Sequence, residues 1–218
     1  MNTHMRRSLF IWLAGVLVYG GFLIWYGGWR APLSKAEVDG FMQAVERIEV
    51  YQGNDLIKSR LRTFLEADDG TEFFMVNLLR YRSTPQSFDG MKPGESAREV
   101  MERYSSAFMP SILGRAGWMV SGGRSASPDL ERWGVEPDGE WEVYALIRYR
   151  SRRDLAEIIS NPAFNSVHPY KFAAIEATRA FPVAPAIVVL GPKLVVGLIT
   201  LVLVLTAQLI SNWFARRG

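Results

Sequence analysis

The chain has no cysteine. That absence excludes a disulfide framework, a thiolate zinc site, an iron–sulfur cluster and a cysteine nucleophile. Histidine is almost as scarce, with two in 218 residues, and His4 sits in the N-terminal tail. His168 is therefore the one imidazole in the central region able to act as acid, base or ligand near neutral pH. Catalytic signatures are missing too: there is no G-x-S-x-G elbow, no G-x-x-x-x-G-K-[ST] loop, no H-E-x-x-H pair and no carboxylate pair in a clear acid–base setting. Hydrolase, kinase and metalloprotease chemistry is disfavoured. The sequence implies no cofactor and offers no metal-ligand set.

Acidic residues are absent from both ends. The formal net charge is +3, but Arg6, Arg7, Arg216 and Arg217 carry the excess, and from Arg30 to Lys193 there are 21 Lys and Arg against 22 Asp and Glu. The central region has no global cationic footprint, which argues against nucleic-acid binding. Beside the basic tails lie two uncharged stretches, Ser8–Trp29 and Leu194–Phe214, of 22 and 21 residues. Each is long enough to cross a bilayer as a helix, and Trp25, Tyr26, Trp29, Trp213 and Phe214 stand where an interfacial aromatic belt belongs. Two spans put both tails on one side, and the positive-inside bias makes that side cytoplasmic. The expectation is an integral protein of the plasma or inner membrane with residues 30–193 periplasmic or extracellular. A cleaved signal peptide is the rival for the first span, and MRRSLF has a twin-arginine look. No small-x-small cleavage site comes after it, so a retained anchor is favoured. Gly20, Gly21, Gly27 and Gly28 are expected to permit close helix approach, with Gly197 opposite.

Between the spans, Ser34-x-x-Glu37 is a capping-box pattern that opens a helix to Glu49, with Val38, Phe41, Met42, Val45 and Ile48 at helical spacing. Asp55–Ala67 is a second helix, and the two are read as a juxtamembrane lead-in. Thr71–Arg82, TEFFMVNLLRYR, is too continuously apolar for a one-sided strand, so both its faces should be covered. Ser96-x-x-Glu99 opens the next helix, which Pro110 should kink or end. Trp118–Ser121 is read as a strand stopped by Gly122-Gly123, Arg124–Glu140 as a polar loop, and Trp141–Arg150 as the third strand. A helix from Ser151 is interrupted at Asn161-Pro162 and at His168-Pro169, and Ala177–Val183 is the last strand. The order β-α-β-β-α-β predicts an α+β fold of ferredoxin-like type, its antiparallel sheet bearing helices on one face. The other face should expose Phe, Met, Val, Ala or Ile from the first and third strands, and a homodimer is expected to cover it.

The ordered set FFMVNLLRYR, Tyr104 with Met109-Pro110, Ala116-Gly117-Trp118, WEVYALIRYRSRRDL, Asn161-Pro162-Ala163-Phe164 and Ala173–Val183 resembles domain-of-unknown-function family 1330 of the dimeric α+β-barrel superfamily. The resemblance runs from Glu72 to Val183. It departs from the family in the two spans, in the Ser34–Ala67 helices and in Arg150-Ser151, where many relatives have Pro-Ser. It implies the fold and the dimer, and no established reaction. Some cofactor-independent monooxygenases and haem-degrading members of the superfamily use an asparagine on the first strand, which would be Asn77. In the haem-degrading ones a histidine from the second helix binds iron, and His168 falls in that region.

From the residues themselves, Asn77 is either a ligand-positioning amide or a structural hydrogen bond within an apolar strand. His168, before Pro169 at a helix interruption, is expected near the surface. Arg80, Arg82, Arg148 and Arg150 alternate along two strands and either grip an anion or pair with Glu142, Asp154 or Glu157. Tyr81, Tyr144, Tyr149, Trp118 and Trp141 line a pocket or simply fill core. The candidate ligand-binding residues are thus Arg80, Arg148, Tyr81, Tyr144 and Trp141, with Asn77 and His168 as first suspects for catalysis. The organisation read is a tail (1–7), a span (8–29), a helical juxtamembrane segment (30–70), the ferredoxin-like domain (71–184), an interfacial linker (185–193), a span (194–214) and a tail (215–218). The leading function is non-catalytic, a two-span protein displaying a small-molecule-binding or interaction domain. One alternative is a cofactor-independent or haem-dependent monooxygenase-like enzyme acting on an apolar small molecule in the dimer cavity. Another is a structural subunit of a membrane complex.

Overall fold

A computed structural model describes residues 3–28, 31–134, 139–188 and 191–215, so Trp29, Arg216 and Arg217 lie outside the described residues. The chain divides into two compact units, one built from its two ends and one from Arg30–Pro185.

The first unit is a pair of packed helices, α1 (Thr3–Gly27) and α8 (Pro192–Ala215). Both are long and apolar enough to cross a membrane, with mean hydropathies of 1.9 and 2.5 over their most apolar stretches, and almost none of that surface is buried within the protein. Of the glycines expected at their close approach, Gly197 is there, and Gly20, Gly21 and Gly27 are not. A side chain added at Gly20, Gly21 or Gly27 would meet nothing within 4 Å, whereas one at Gly15 would run into the side chain of Val204. At Gly197 an added Cβ would sit 3.0 Å from the Tyr19 hydroxyl oxygen, and that hydroxyl donates to the Lys193 carbonyl at 3.0 Å. Ser8 Oγ donates to Gln208 Oε1 at 2.9 Å, and Gln208 Nε2 to Asn212 Oδ1 at 2.9 Å, so the polar side chains of this pair satisfy one another.

The second unit opens with α2 (Lys35–Glu46), capped as its sequence predicts: Ser34 Oγ accepts from the Glu37 amide, and the Glu37 carboxylate takes the Ser34 N–H at 2.8 Å. Arg153 also pairs with Glu37, and together these contacts hold the carboxyl down at about 2. A short 3-10 turn (Glu49–Tyr51) leads to α3 (Asp55–Glu66). Val38, Met42, Val45, Ile48 and Leu65 form a core of their own that includes Ala156 of α5 (Arg152–Ile159). The Arg152 guanidinium lies over the Phe64 ring at 4.7 Å and donates to the Phe64 carbonyl at 3.0 Å, while Phe64 meets Phe73 edge-on at 5.0 Å. The two lead-in helices are thereby fastened to the sheet and to α5.

The strands are β1 (Phe73–Tyr81), β2 (Trp118–Arg124), β3 (Val143–Tyr149) and β4 (Ile175–Val183). They form one antiparallel sheet in the order β2-β3-β1-β4, which is the ferredoxin-like arrangement. β2 does not stop at the glycine pair; a bulge at Val120 re-aims the strand and lets it run through Gly122 and Gly123. Helices α4 (Ala97–Leu113), α6 (Pro162–Asn165) and α7 (His168–Ala174) join α5 in packing on one face. Pro110 neither ends α4 nor keeps its last turn from closing, because Phe108 and Ile112 on either side of it are buried against the sheet. The helix face of the sheet carries the odd residues of β1 and β3, Met75, Leu79, Ala145 and Ile147 among them, although the sequence predicts Met, Ala and Ile on the open face. The open face bears Phe74 and Val76, of the types expected, together with Leu78 and Leu146, and Tyr144 and Phe181 there are about 40 % exposed.

Candidate functional site

The register of the sheet creates a trough on its helix face. Asn77 lies opposite Ala145 on one side and Ala180 on the other, and Ala145 lies opposite Gly122. One row across all four strands therefore reads Gly-Ala-Asn-Ala, with nothing larger than an asparagine. Above this floor is a cavity of about 950 Å³. Its far wall is built by Met101, Tyr104 and Phe108 of α4, Ile158 of α5 and Phe164 of α6, with Leu61 and Phe64 of α3 closing one end. The space exists because large residues on the helices face small ones on the strands. No single segment of the sequence carries that complementarity; it arises only when four strands align.

Of the sequence candidates, Asn77, His168 and Tyr81 line the cavity, while Tyr144 borders it from β3 with its ring on the open face, its hydroxyl 2.8 Å from Ser121 Oγ. Asn77 Nδ2 donates to the carbonyls of Met75 at 3.2 Å and Ala145 at 3.4 Å, so its amide is tied to the strands while it faces the cavity. His168 is not near the surface. Its ring is 5 % exposed and lies among Phe164, Phe172, Tyr51 and Tyr104, with centroids 4.9 to 6.0 Å away. Pro169 takes an early position of α7, where its missing N–H costs nothing, so the helix begins there and carries His168 inward. Burial, helped by the charge of Lys171, pushes the imidazole down to about 4, so it is neutral at physiological pH. Its Nδ1 is buried with no hydrogen-bond partner.

Sequence reasoning misses Lys171. It lies one helical turn after His168, lines the same cavity, and places its Nζ 6.0 Å from the centre of the Tyr104 ring. Burial lowers its ammonium to about 8. The spacing His168-x-x-Lys171 on a helix puts both on one side, and that signal is readable once the helix boundary is known. The hydroxyls of Tyr51, Tyr104 and Tyr149 are shifted upward by burial and stay protonated.

Arg80, Arg148 and Trp141 belong elsewhere. Arg148 is almost completely buried; it pairs with Glu72 and donates to the Ala116 carbonyl. Arg80 pairs with Glu176 at 3.2 Å, and Trp141 lies under the Arg179 guanidinium at 5.7 Å. Arg150 grips Asp154 with two hydrogen bonds, of 2.9 and 2.7 Å. Arg80, Arg148 and Arg150 thus hold structure together and do not converge on one point. Among the described residues no group of three or more His, Asp and Glu forms a metal site.

No protein-family model matches the chain, and no curated protein matches it in sequence. Among solved structures it is similar to a protein of unknown function from Rhodopseudomonas palustris, with a TM-score of 0.49 and 20 % identity over 63 % of this chain and 97 % of that one. The methylated form of that protein gives a TM-score of 0.49 and 22 % identity over 65 % and 95 %. A dimeric protein of unknown function and ferredoxin-like fold from Bacteroides fragilis gives 0.31 and 13 % over 51 % and 94 %.

Proposed function

We propose that this protein is a membrane-anchored small-molecule-binding module and a divergent relative of domain-of-unknown-function family 1330. The observation that carries the binding reading is the cavity: about 950 Å³, mostly apolar, with a few polar groups aimed into it, as in small-molecule sites generally. Native mass spectrometry of the full chain released from membranes tests it. The expected result is a co-purifying small molecule that leaves when Ala145→Phe fills the trough; an empty protein that takes up nothing from an apolar compound library overturns it.

The anchor is the pair α1 and α8. Their apolar surfaces face outward, and the hydroxyls of Thr200 and Thr206 bond back to the carbonyls of Val196 and Val202, as a hydrocarbon solvent requires. Both termini are cytoplasmic in this reading, and the Arg30–Pro185 unit lies on the opposite side. Alkaline phosphatase fused near Gly90 is expected to be active, and alkaline carbonate is expected to leave the chain in the membrane fraction. The open face of the sheet, with Val76, Leu78, Leu146, Tyr144 and Phe181, is the surface for a homodimer. A well-folded monomer at micromolar concentration in sedimentation would remove that part of the reading.

A second reading is an oxygenase-like enzyme, favoured by the fact that Asn77 and His168 line one cavity. Its haem-dependent form does not fit: the imidazole is 5 % exposed and packed among four aromatic rings, which crowd the space a porphyrin plane needs against it. In the cofactor-independent form, Asn77→Ala and His168→Ala should each abolish turnover while the protein stays folded. Unchanged turnover in both dismisses the enzyme reading for these residues.

A further inference from the structure

The charges around the cavity are one-sided. Arg60, Arg98, Arg124 and Lys171 line it, against Glu102 as the only acid among the lining residues. The unit that contains it has no such excess, since Arg30–Pro185 carries 20 basic and 22 acidic residues. Arg60, Arg98, Arg124 and Lys171 have no ion-pair partner among the described residues, although acid side chains are plentiful elsewhere and engage Arg62, Arg103, Arg115, Arg150 and Arg153. The three arginines are exposed, whereas Lys171 is half-buried and sits beside the enclosed His168. A half-buried cation with no counter-charge, next to an imidazole whose Nδ1 has no partner, is an incomplete constellation.

The rest of the lining tells what the remainder of a ligand is made of. Met75, Met101, Met109 and Met119, four of the eight methionines in the chain, surround the space. Methionine is unbranched and polarizable, so such a wall adapts to flexible hydrocarbon. We propose that the ligand of this cavity is an amphipathic monocarboxylate, its carboxylate paired with the Lys171 ammonium beside His168 and its hydrocarbon chain lying along the methionine-lined trough over Asn77. The exposed arginines attract the anion to the opening and are not its final partners. A single inner cation matches one negative charge. A phosphate monoester carries close to two and wants the forked donors that are absent from the inner end. This inference rests on the small-molecule-binding reading and names its ligand class.

The test uses the full chain in lipid nanodiscs, with empty nanodiscs as the blank, titrated calorimetrically with octanoate, octan-1-ol and octylamine. Octanoate is expected to bind about tenfold or more tightly than octanol, with octylamine the weakest, because a charge-assisted contact adds to a common apolar term. Lys171→Gln should erase the preference for octanoate and leave octanol binding in place, while Lys171→Arg should restore it. An unchanged far-ultraviolet circular dichroism spectrum certifies that each variant is folded. Equal binding of octanoate and octanol, or an octanoate preference that survives Lys171→Gln, overturns the carboxylate assignment and leaves the binding module standing. Failure of all three probes overturns both.

Discussion

The buried Arg148 guanidinium donates from Nη1 to the carbonyl of Ala116, a residue held at φ 57° just beyond the end of α4. Its Nε faces Glu72, so one side chain of β3 ties the α4–β2 turn to the entry of β1. Removing the acid takes the Glu72 carboxylate away from a cation that stays buried, whereas removing the cation leaves a carboxylate that is one-quarter exposed and can turn to water. Glu72→Ala is therefore expected to cost more, about 3 kcal/mol, than Arg148→Met. Thermal melts of the two variants, followed by tryptophan fluorescence, check the ranking, and the reverse order would contradict it.

Gly117 is the next residue, and its N–H reaches back to the Ile112 carbonyl at 3.0 Å to close the helix end. A methyl there would sit 2.7 Å from the Arg148 carbonyl oxygen and press into the Ile112 side chain. Neither can yield, because Ile112 is fully buried and Arg148 is paired with Trp118 in the sheet. Gly117→Ala is expected to destabilise the protein by about 2 kcal/mol in denaturant titrations.

His168 makes stability depend on pH in a definite direction. Its proton is held at about 4 in the folded protein against 6.5 when unfolded, so the unfolded chain binds more protons between those values. The contribution of this histidine is complete above about pH 6.5 and declines as pH falls, by about 2 kcal/mol at pH 5 and about 3 kcal/mol at pH 4, whereas Lys171, lowered to about 8, adds its own rise only at alkaline pH. Glu37, held near 2, contributes its own loss only below its unfolded value of 4.5. Melts between pH 7.5 and 5 therefore report the histidine, and His168→Phe should flatten that part of the profile.

A chain without cysteine offers a clean background for measuring the packing of α1 on α8. A Cβ at Gly15 would lie 3.8 Å from the Val204 Cβ, the usual separation in a disulfide. Gly15→Cys with Val204→Cys is expected to cross-link under mild oxidation, and Gly20→Cys with Val204→Cys is not. Mobility on non-reducing gels after proteolysis between the helices distinguishes the outcomes.

The chemistry legible in the sequence is the chemistry of near neighbours. Ser34–Glu37 and Ser96–Glu99 cap their helices as their spacing predicts, and the order of strands and helices comes from periodicity alone. What escapes is set by contacts across the chain. Pro110 stays inside α4 because burial on both sides of it outweighs one lost hydrogen bond, and Gly122-Gly123 stays inside β2 because a bulge absorbs the irregularity. His168 is misplaced by sequence alone since a His-Pro step looks like a break, when it is a helix start that turns the ring inward. Lys171 is overlooked because a lone lysine on a helix is ordinarily solvated, and only the cavity makes it otherwise.

The fastening of α3 onto the sheet has a practical corollary. Phe64 rests on Phe73 and is clasped by Arg152, so a polypeptide trimmed to begin at Thr71 would keep all four strands and still lose an end wall. Such a fragment would bare Phe73 and the greasy groove behind it, and is expected to clump in solution. The boundary that topology suggests and the boundary that solubility demands are different places on this chain.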